Sequence, residues 1–237
     1  MLDASLKPLV PVRFSSSLPS GWQKQERVHQ YEQGPMQNFI YLLSCPETKK
    51  VWIVDPHKEW KKCESDFTAD GYSFEGCLLT HSHHDHVAGL ATLLEAYPGL
   101  PVIAGAADAF RLKTIAPKNL KLLDGDMELL LGSLRVHAIF SPGHSAGEYC
   151  YFLADESPPI LLTGDVLFIR QCGRTDFATG SDQELFETLT RLKTLPDETI
   201  ILPGHHYTSE CASTLLIEKT TSLPLLAKSW EELRDLP

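Results

Sequence analysis

The chain has 237 residues, of which 43% are hydrophobic and 22% are charged, a composition typical of a globular protein with one substantial core. Its formal net charge of −10, from 31 acidic and 21 basic residues, disfavours binding to nucleic acid backbones, which requires clustered lysine and arginine. No apolar stretch approaches the ~20 residues that a membrane-spanning helix needs. We therefore expect neither a nucleic acid nor a membrane partner.

The cysteines and the N-terminal residues predict the compartment. Six cysteines are scattered through the chain without CxxC spacing, which is typical of buried thiols in a reducing environment. Residues 1–14 contain no continuous apolar segment followed by a cleavage site of small residues, so secretion is not expected. Both features favour a cytoplasmic location.

The predicted elements divide the chain into three parts. Residues 1–35 are rich in proline, serine and glycine, which predicts an N-terminal extension that leads to the first strand. Residues 36–208 form the main domain, and residues 209–237 form a short helical tail with a break at Pro224. Helical spacing also predicts helices over residues 60–69, 87–97 and 183–193. Short β-rich or apolar runs predict nine strands, over residues 38–44, 51–55, 76–80, 101–104, 127–131, 134–140, 148–153, 160–163 and 200–202.

Four histidines and one aspartate lie among residues 81–86, directly after the predicted strand 76–80. Neutral imidazole and carboxylate are preferred ligands of zinc, iron and manganese. His81 and His83 are two residues apart on an extended chain, so their side chains point the same way and can bind one ion. Asp85 and His86 follow the turn and can reach a second ion, whereas His84 is expected to point outward.

Three further polar residues, His144, Asp165 and His205, follow predicted strands and lie next to glycines. Strand ends at one edge of an α/β protein converge on a site, and glycine permits the close approach of backbone that two adjacent ions demand. Serine catalysis is not expected, although Ser141 and Ser145 flank His144. The histidines not assigned to the site are His29, His57, His137 and His206.

Five segments resemble the metallo-β-lactamase fold and, within it, the glyoxalase II (hydroxyacylglutathione hydrolase) branch. They are T-H-x-H-H-D-H-x-x-G at 80–89, S-P-G-H-S-x-G at 141–147, T-G-D-x-L-F at 163–168, C-G-R-T-D-F at 172–177 and P-G-H-x-Y-T at 203–208. The resemblance covers roughly residues 37–208. It implies an α/β (α+β) protein, a four-layer αβ/βα sandwich with two mixed sheets inside, helices outside and the metal site at one edge.

The resemblance also implies a role for each site residue. In the family pattern the first ion is bound by His81, His83 and His144, the second by Asp85, His86 and His205, and both by Asp165. Two divalent metal ions, zinc before iron or manganese, would lower the pKa of bound water and polarise the scissile carbonyl. Asp85 would also orient the resulting hydroxide as a catalytic residue. Arg174 and Tyr207 match the residues that bind the substrate.

The implied activity is hydrolysis of a small anionic thioester such as a hydroxyacylglutathione, and a homodimer is a further expectation. The alternative is the persulfide dioxygenase branch of the same fold, which residues 172–177 and 213–219 resemble. That branch would use one iron on His81, His144 and Asp165. His84 favours the hydrolase, because the oxygenase pattern usually carries a small residue at this position. A β-lactamase and a nuclease rank lower.

Overall fold

Short runs of β-branched, aromatic and leucine residues build two six-stranded sheets in the computed structural model, which describes residues 26–236. The strands of the first sheet are Val28–Gln33 (β1), Asn38–Cys45 (β2), Lys50–Val54 (β3), Ser73–Leu78 (β4), Val102–Gly105 (β5) and Leu120–Leu123 (β6). The strands of the second sheet are Met127–Leu131 (β7), Leu134–Phe140 (β8), Tyr149–Leu153 (β9), Ile160–Gly164 (β10), Ile200–Pro203 (β11) and Ser213–Thr214 (β12).

Both sheets are mixed. In the first, with order β1-β2-β3-β4-β5-β6, the pairs β1–β2 and β2–β3 are antiparallel, and β3 to β6 are parallel. In the second, with order β12-β11-β10-β9-β8-β7, only β10–β11 is parallel. Parallel neighbours end at the same edge of a sheet, so the loops that follow β3, β4, β10 and β11 are brought to one side of the molecule.

Helices cover the outer faces of both sheets. The first sheet carries Lys61–Ala69 (α1), Leu90–Ala96 (α2) and Ala109–Leu112 (α3), and the second carries Asp182–Leu192 (α4), Leu215–Thr221 (α5), Leu223–Leu226 (α6) and Trp230–Arg234 (α7). Ser181 caps α4 by accepting a hydrogen bond from Glu184 N, and Leu185, Leu189 and Leu192 form its buried face.

The apolar residues form three clusters that define the layers. The cluster between the sheets includes Leu43, Tyr151 and Leu162, and the outer clusters pack Leu90 of α2 and Leu189 of α4 against their sheets. The predicted four-layer αβ/βα sandwich is therefore confirmed. Among residues 26–236, no helix combines the length and the apolar character needed to cross a bilayer.

The ends of the chain differ from the sequence prediction. Residues 28–33, predicted as part of the extension, form β1 and pair with β2, while residues 1–25 lie outside the described part. This strand was missed because only Val28 and Gln33 are buried, so the alternation is weak. In the predicted helical tail, residues 209–237, the first helix begins only at Leu215, after the short strand β12. The tail is thus part of the second sheet and of its helical layer.

Candidate metal centre

Loops that follow four strands position the polar residues singled out in the sequence. His81 follows β4, His144 follows β8, Asp165 directly follows β10, and His205 lies two residues after β11. The loop of residues 81–86 turns sharply between β4 and α2, because His86 N donates to the carbonyl of His83 at 3.1 Å. Convergence of strand ends therefore creates the site, as the sequence predicted.

The ligand atoms form three overlapping groups, and within each group they lie within 4.8 Å of one another. The groups are His81, His83 and His144; Asp85, His86 and His205; and His81, His86 and Asp165. Asp165 Oδ2 lies 3.5 Å from His144 Nε2 and 3.4 Å from His205 Nε2, so its carboxylate stands between the first two groups. The Asp165 carboxylate is therefore within reach of ligand atoms from both groups.

Unpaired polar atoms in the site test whether metal ions fit there. His81 Nε2 and Asp165 Oδ1 are buried and make no hydrogen bond. His144 Nε2 lies 2.9 Å from His83 Nδ1, and His86 Nε2 lies 3.2 Å from His205 Nε2. Buried imidazole nitrogens that face one another without an acceptor between them are costly unless a cation binds their lone pairs. The donor set, five imidazoles and two carboxylates, suits zinc, iron or manganese.

Partners outside the site determine which ring nitrogen of three histidines faces inward. His86 Nδ1 lies 3.0 Å from Asp55 Oδ2. His144 Nδ1 lies 2.6 Å from Arg174 O, and His205 Nδ1 lies 2.8 Å from Met36 O. Each partner is an acceptor, so in the neutral imidazole Nδ1 carries the proton and Nε2 can present its lone pair to an ion. Such contacts orient metal ligands and increase their basicity.

The charges in the site stabilise one another. Burial alone would raise the pKa of Asp165 and lower the pKa of His86. The attraction between the two side chains outweighs burial. The pKa of Asp165 therefore lies well below its usual value, and the pKa of His86 lies well above its usual value. Burial likewise lowers the pKa of His205, yet Asp165 and Asp85 raise it to about 9. The two carboxylates are therefore ionised and available to a cation.

Three buried acids that sequence reasoning missed hold the loops together. Asp55 accepts hydrogen bonds from Thr80 N at 2.8 Å and Thr80 Oγ1 at 2.6 Å. Asp108 accepts from Ser82 N at 2.7 Å and from Gly147 N at 3.2 Å, which links the loops that carry His83 and His144. A signal for Asp55 was present in the sequence, because this residue is the last of the predicted strand 51–55 and polar residues at strand ends were the criterion for site residues.

Glu148 is the third of these acids and is fully buried beneath the site. Its Oε1 accepts from Asp165 N at 2.9 Å and lies 3.7 Å from His81 Nδ1, and its Oε2 accepts from Ser145 N at 3.3 Å. Burial and the neighbouring Asp165 raise the pKa of Glu148 well above its usual value. Glu148 therefore fixes the backbone of Asp165 and of the His144 loop at once.

Asn38 orients the side chain of Asp85. Asn38 Nδ2 donates to Asp85 Oδ2 at 2.8 Å, and the same oxygen lies 3.3 Å from His205 Nε2. The amide comes from the start of β2, and Phe39 N donates to Gly204 O at 2.8 Å, so β2 is tied directly to the loop that carries His205. Sequence reasoning did not single out Asn38.

A cleft of about 500 Å³ opens over the ligands. Its wall includes Phe168, Phe177 and Tyr207, and Phe177 packs on His83 with a distance of 4.6 Å between ring centroids. Tyr207 stacks on His205, with ring centroids 4.7 Å apart and an interplanar angle of 12°. Burial, with the carboxylates of Asp165 and Asp85, raises the pKa of Tyr207 to about 12, so its hydroxyl remains a hydrogen-bond donor.

A family model described as the metallo-beta-lactamase superfamily matches residues 75–205, more than half of the chain. The chain belongs to the metallo-beta-lactamase superfamily. It is 34% identical, over 177 residues, to a hydroxyacylglutathione hydrolase of Pseudomonas syringae pv. syringae strain B728a. That match covers 72% of this chain, and this chain spans 62% of the length of that relative.

Solved structures of the superfamily superpose on most of the chain. ETHE1 from Myxococcus xanthus is 27% identical, with a TM-score of 0.74 over 89% of this chain and 92% of that protein. TTHA1623 in a di-iron-bound form is 30% identical, with a TM-score of 0.71 over 82% of this chain and 98% of that protein. Nearly the whole length of each of these two proteins therefore superposes on this chain.

The structure places all seven predicted ligands together, and their role as ligands remains a prediction. His84 lies in the same loop, residues 81–86, with its side chain 87% exposed, which agrees with the outward direction expected for it. His206 is outside the ligand groups and lies 2.7 Å from Glu32 Oε2 through Nδ1. Arg174 borders the cleft, but its guanidinium is paired with Asp176, whereas Tyr207 lies directly against a ligand.

A substitution at Gly204 tests how closely the residues of the metal centre are packed. A Cβ at position 204 would lie 2.3 Å from Asp165 Oδ1, which would displace the Asp165 carboxylate. We expect Gly204→Ala to lower the bound metal and kcat/KM, by roughly 10–100-fold for the latter, because misoriented ligands cost that much. Elemental analysis and steady-state kinetics measure both effects.

The matched control for this prediction is Gly99→Ala. A Cβ at Gly99 meets nothing within 4 Å, so this variant should keep the metal content and the activity of the natural protein. Full metal content and activity in Gly204→Ala would contradict the expectation that the position of the Asp165 carboxylate is critical.

Proposed function

We propose that the protein is a binuclear metallohydrolase that cleaves a small anionic thioester of the hydroxyacylglutathione class. The observation that carries the proposal is the position of the Asp165 carboxylate, 3.5 Å from His144 of one ligand group and 3.4 Å from His205 of the other. A mononuclear site would not require Asp85, His86 and His205 to converge with their lone pairs directed inward.

The ions themselves supply the central chemistry. The seven residues of the ligand groups would hold two divalent ions, most simply zinc, which would lower the pKa of bound water towards about 7 and stabilise negative charge on the scissile carbonyl. The chain supplies orientation and proton transfer. Asp85 stays ionised, because His205 and Asn38 hydrogen-bond its carboxylate, and it is held to accept a proton or a hydrogen bond at the metal edge of the cleft.

The cleft supports a small acyl thioester as the substrate. Its aromatic wall of Phe168, Phe177 and Tyr207 suits an apolar acyl or thiol portion, and the Tyr207 hydroxyl can donate to an anionic group of the substrate. The relative that is 34% identical is a hydroxyacylglutathione hydrolase, which supports the same substrate class.

A second candidate is a mononuclear iron persulfide dioxygenase of the same fold. The match to ETHE1, which covers 92% of that protein, and the resemblance of residues 172–177 and 213–219 to that branch support it. It would use His81, His144 and Asp165 and would leave the second group without an ion.

Two assays on the purified protein separate the candidates. The proposal expects hydrolysis of a glutathione thioester, followed as release of free thiol, and no oxygen uptake with glutathione persulfide. Oxygen uptake on the persulfide without thioester cleavage would replace the hydrolase with the dioxygenase.

We also propose a reducing, cytoplasmic location. All six cysteines are free thiols and five of them are buried. A protein that matures in an oxidising compartment would be expected to pair some of them.

A further inference from the structure

The chain makes a tight turn directly after Asp165, in a segment that we call the wall loop, residues 167–174. Leu167 and Cys172 form an isolated antiparallel bridge, and Phe168 N donates to Gln171 O at 2.8 Å. At the tip of this turn Arg170 has a φ of +64°, in the left-handed region that residues other than glycine rarely adopt. Such a conformation persists only when the surroundings stabilise it.

The wall loop forms one side of the cleft. The Phe168 ring packs on His205 and Tyr207, with centroid distances of 5.8 and 5.3 Å. Cys172 and Arg174 border the cleft further along the loop. The conformation of Arg170 therefore determines where the aromatic and polar groups of this wall lie relative to the ligands.

Two acids from the C-terminal segment hold Arg170 in place. Glu218, on α5, accepts a hydrogen bond from Arg170 N through Oε2 at 2.7 Å. Glu210 binds the Arg170 guanidinium at two points, 3.0 Å from Nη1 and 3.2 Å from Nη2. Backbone and side chain of the strained residue are thus held by different partners from the same segment.

The Glu218 carboxyl group accepts a hydrogen bond from Arg170 N through Oε2, and its Oε1 is buried without a hydrogen-bond partner. Glu218 is fully buried, and its neighbours on the same helical layer include Leu215 and Leu225. Burial raises the pKa of Glu218, which reflects the cost of ionising a carboxyl group there. A leucine would fill the same layer without that cost, so the hydrogen bond to Arg170 N is what the carboxyl group contributes.

We infer that Glu218, assisted by Glu210, is a positioning residue for substrate binding, because it holds Arg170 and with it the substrate-facing wall loop. This inference deepens the proposed function and rests on it for the identity of the substrate. The claim that Glu218 holds the wall loop does not depend on the proposed function, because the order of the loop can be measured separately.

The test compares Glu218→Leu and Glu218→Gln with Lys219→Met. Leucine removes the acceptor for Arg170 N, glutamine keeps an acceptor oxygen, and Lys219→Met breaks another anchor of α5, the ion pair with Asp197 at 2.6 Å, without touching the wall loop. For each variant we would measure hydrogen exchange of the peptide covering residues 166–174, metal content, and KM and kcat with a glutathione thioester.

We expect faster exchange over residues 166–174 and a KM raised about ten-fold in Glu218→Leu, with kcat and metal content nearly unchanged, because a donor is left unpaired and the wall is displaced. Glu218→Gln should have the exchange rate and the KM of the natural protein, and Lys219→Met should lower only the melting temperature. Glu210→Gln weakens the contact to the more exposed guanidinium of Arg170 and should show the same changes more weakly. This variant also tests the inference if Glu218→Leu does not fold.

Unchanged exchange and KM in Glu218→Leu would overturn the inference, as would equal effects in Lys219→Met. If no variant and no natural protein cleaves the thioester, the proposed function fails, while the exchange data still decide whether Glu218 holds the wall loop.

Discussion

The Asp165→Ala protein is expected to retain less than one metal ion per chain and to lose activity by about 10³-fold or more, a loss comparable to removal of a central catalytic group. The reason is the shared position of this carboxylate between His144 and His205. Without it, Asp85 is the only carboxylate among the ligands, so the mutual repulsion of two divalent ions is poorly compensated. Elemental analysis and thioester turnover measure the two losses.

The fold should survive this substitution, because Asp165 N still donates to Glu148 Oε1 and alanine removes atoms without adding any. A cooperative thermal unfolding transition of the metal-free variant would confirm that it still folds. The control is Asp124→Ala, an exposed aspartate outside the ligand groups, which should keep both ions and full activity. Two ions retained in Asp165→Ala would contradict a bridging role.

The Asp85→Ala protein is expected to bind one ion instead of two and to lose activity by roughly 10²–10⁴-fold, the usual contribution of a positioned proton acceptor. Asp85 Oδ2 lies 3.3 Å from His205 Nε2 and 3.4 Å from His86 Nε2, whereas the group of His81, His83 and His144 does not use it. The first ion should therefore remain. Metal titration of the apoprotein, followed by kinetics, gives the occupancy of each site.

Asn38→Ala is the informative companion to this variant. It removes the amide that holds Asp85 Oδ2 at 2.8 Å but leaves every ligand in place, so two ions should bind and activity should fall by about 10–100-fold. Near-normal turnover of Asp85→Ala with one bound ion would contradict the binuclear hydrolase and would favour the mononuclear dioxygenase.

Much of the fold was predictable because the central strands are continuous apolar runs. All eight residues of β2 and all five of β9 and β10 are buried, and such runs between turn residues are a strong local signal. The seven candidate ligands were predictable for a related reason. Metal-capable side chains recurred shortly after predicted strands, where the ends of strands at one edge meet.

Other elements carry no local signal. The strand β1 is polar along most of its length and is defined by its pairing with β2, and β12 has only two residues. The supporting acids Asp108, Glu148 and Glu218 act through backbone amides distant in sequence, 26 residues away for Asp108 and Ser82. A partner of that kind is set by the tertiary fold, and a single sequence does not reveal it.

The most direct test of the shared carboxylate and its two ligand groups is the ratio of metal to protein in the purified natural chain. We expect two divalent ions per chain by elemental analysis, falling to one in Asp85→Ala and below one in Asp165→Ala. One iron per chain, unchanged by Asp85→Ala, would contradict the binuclear site and with it the proposed hydrolase.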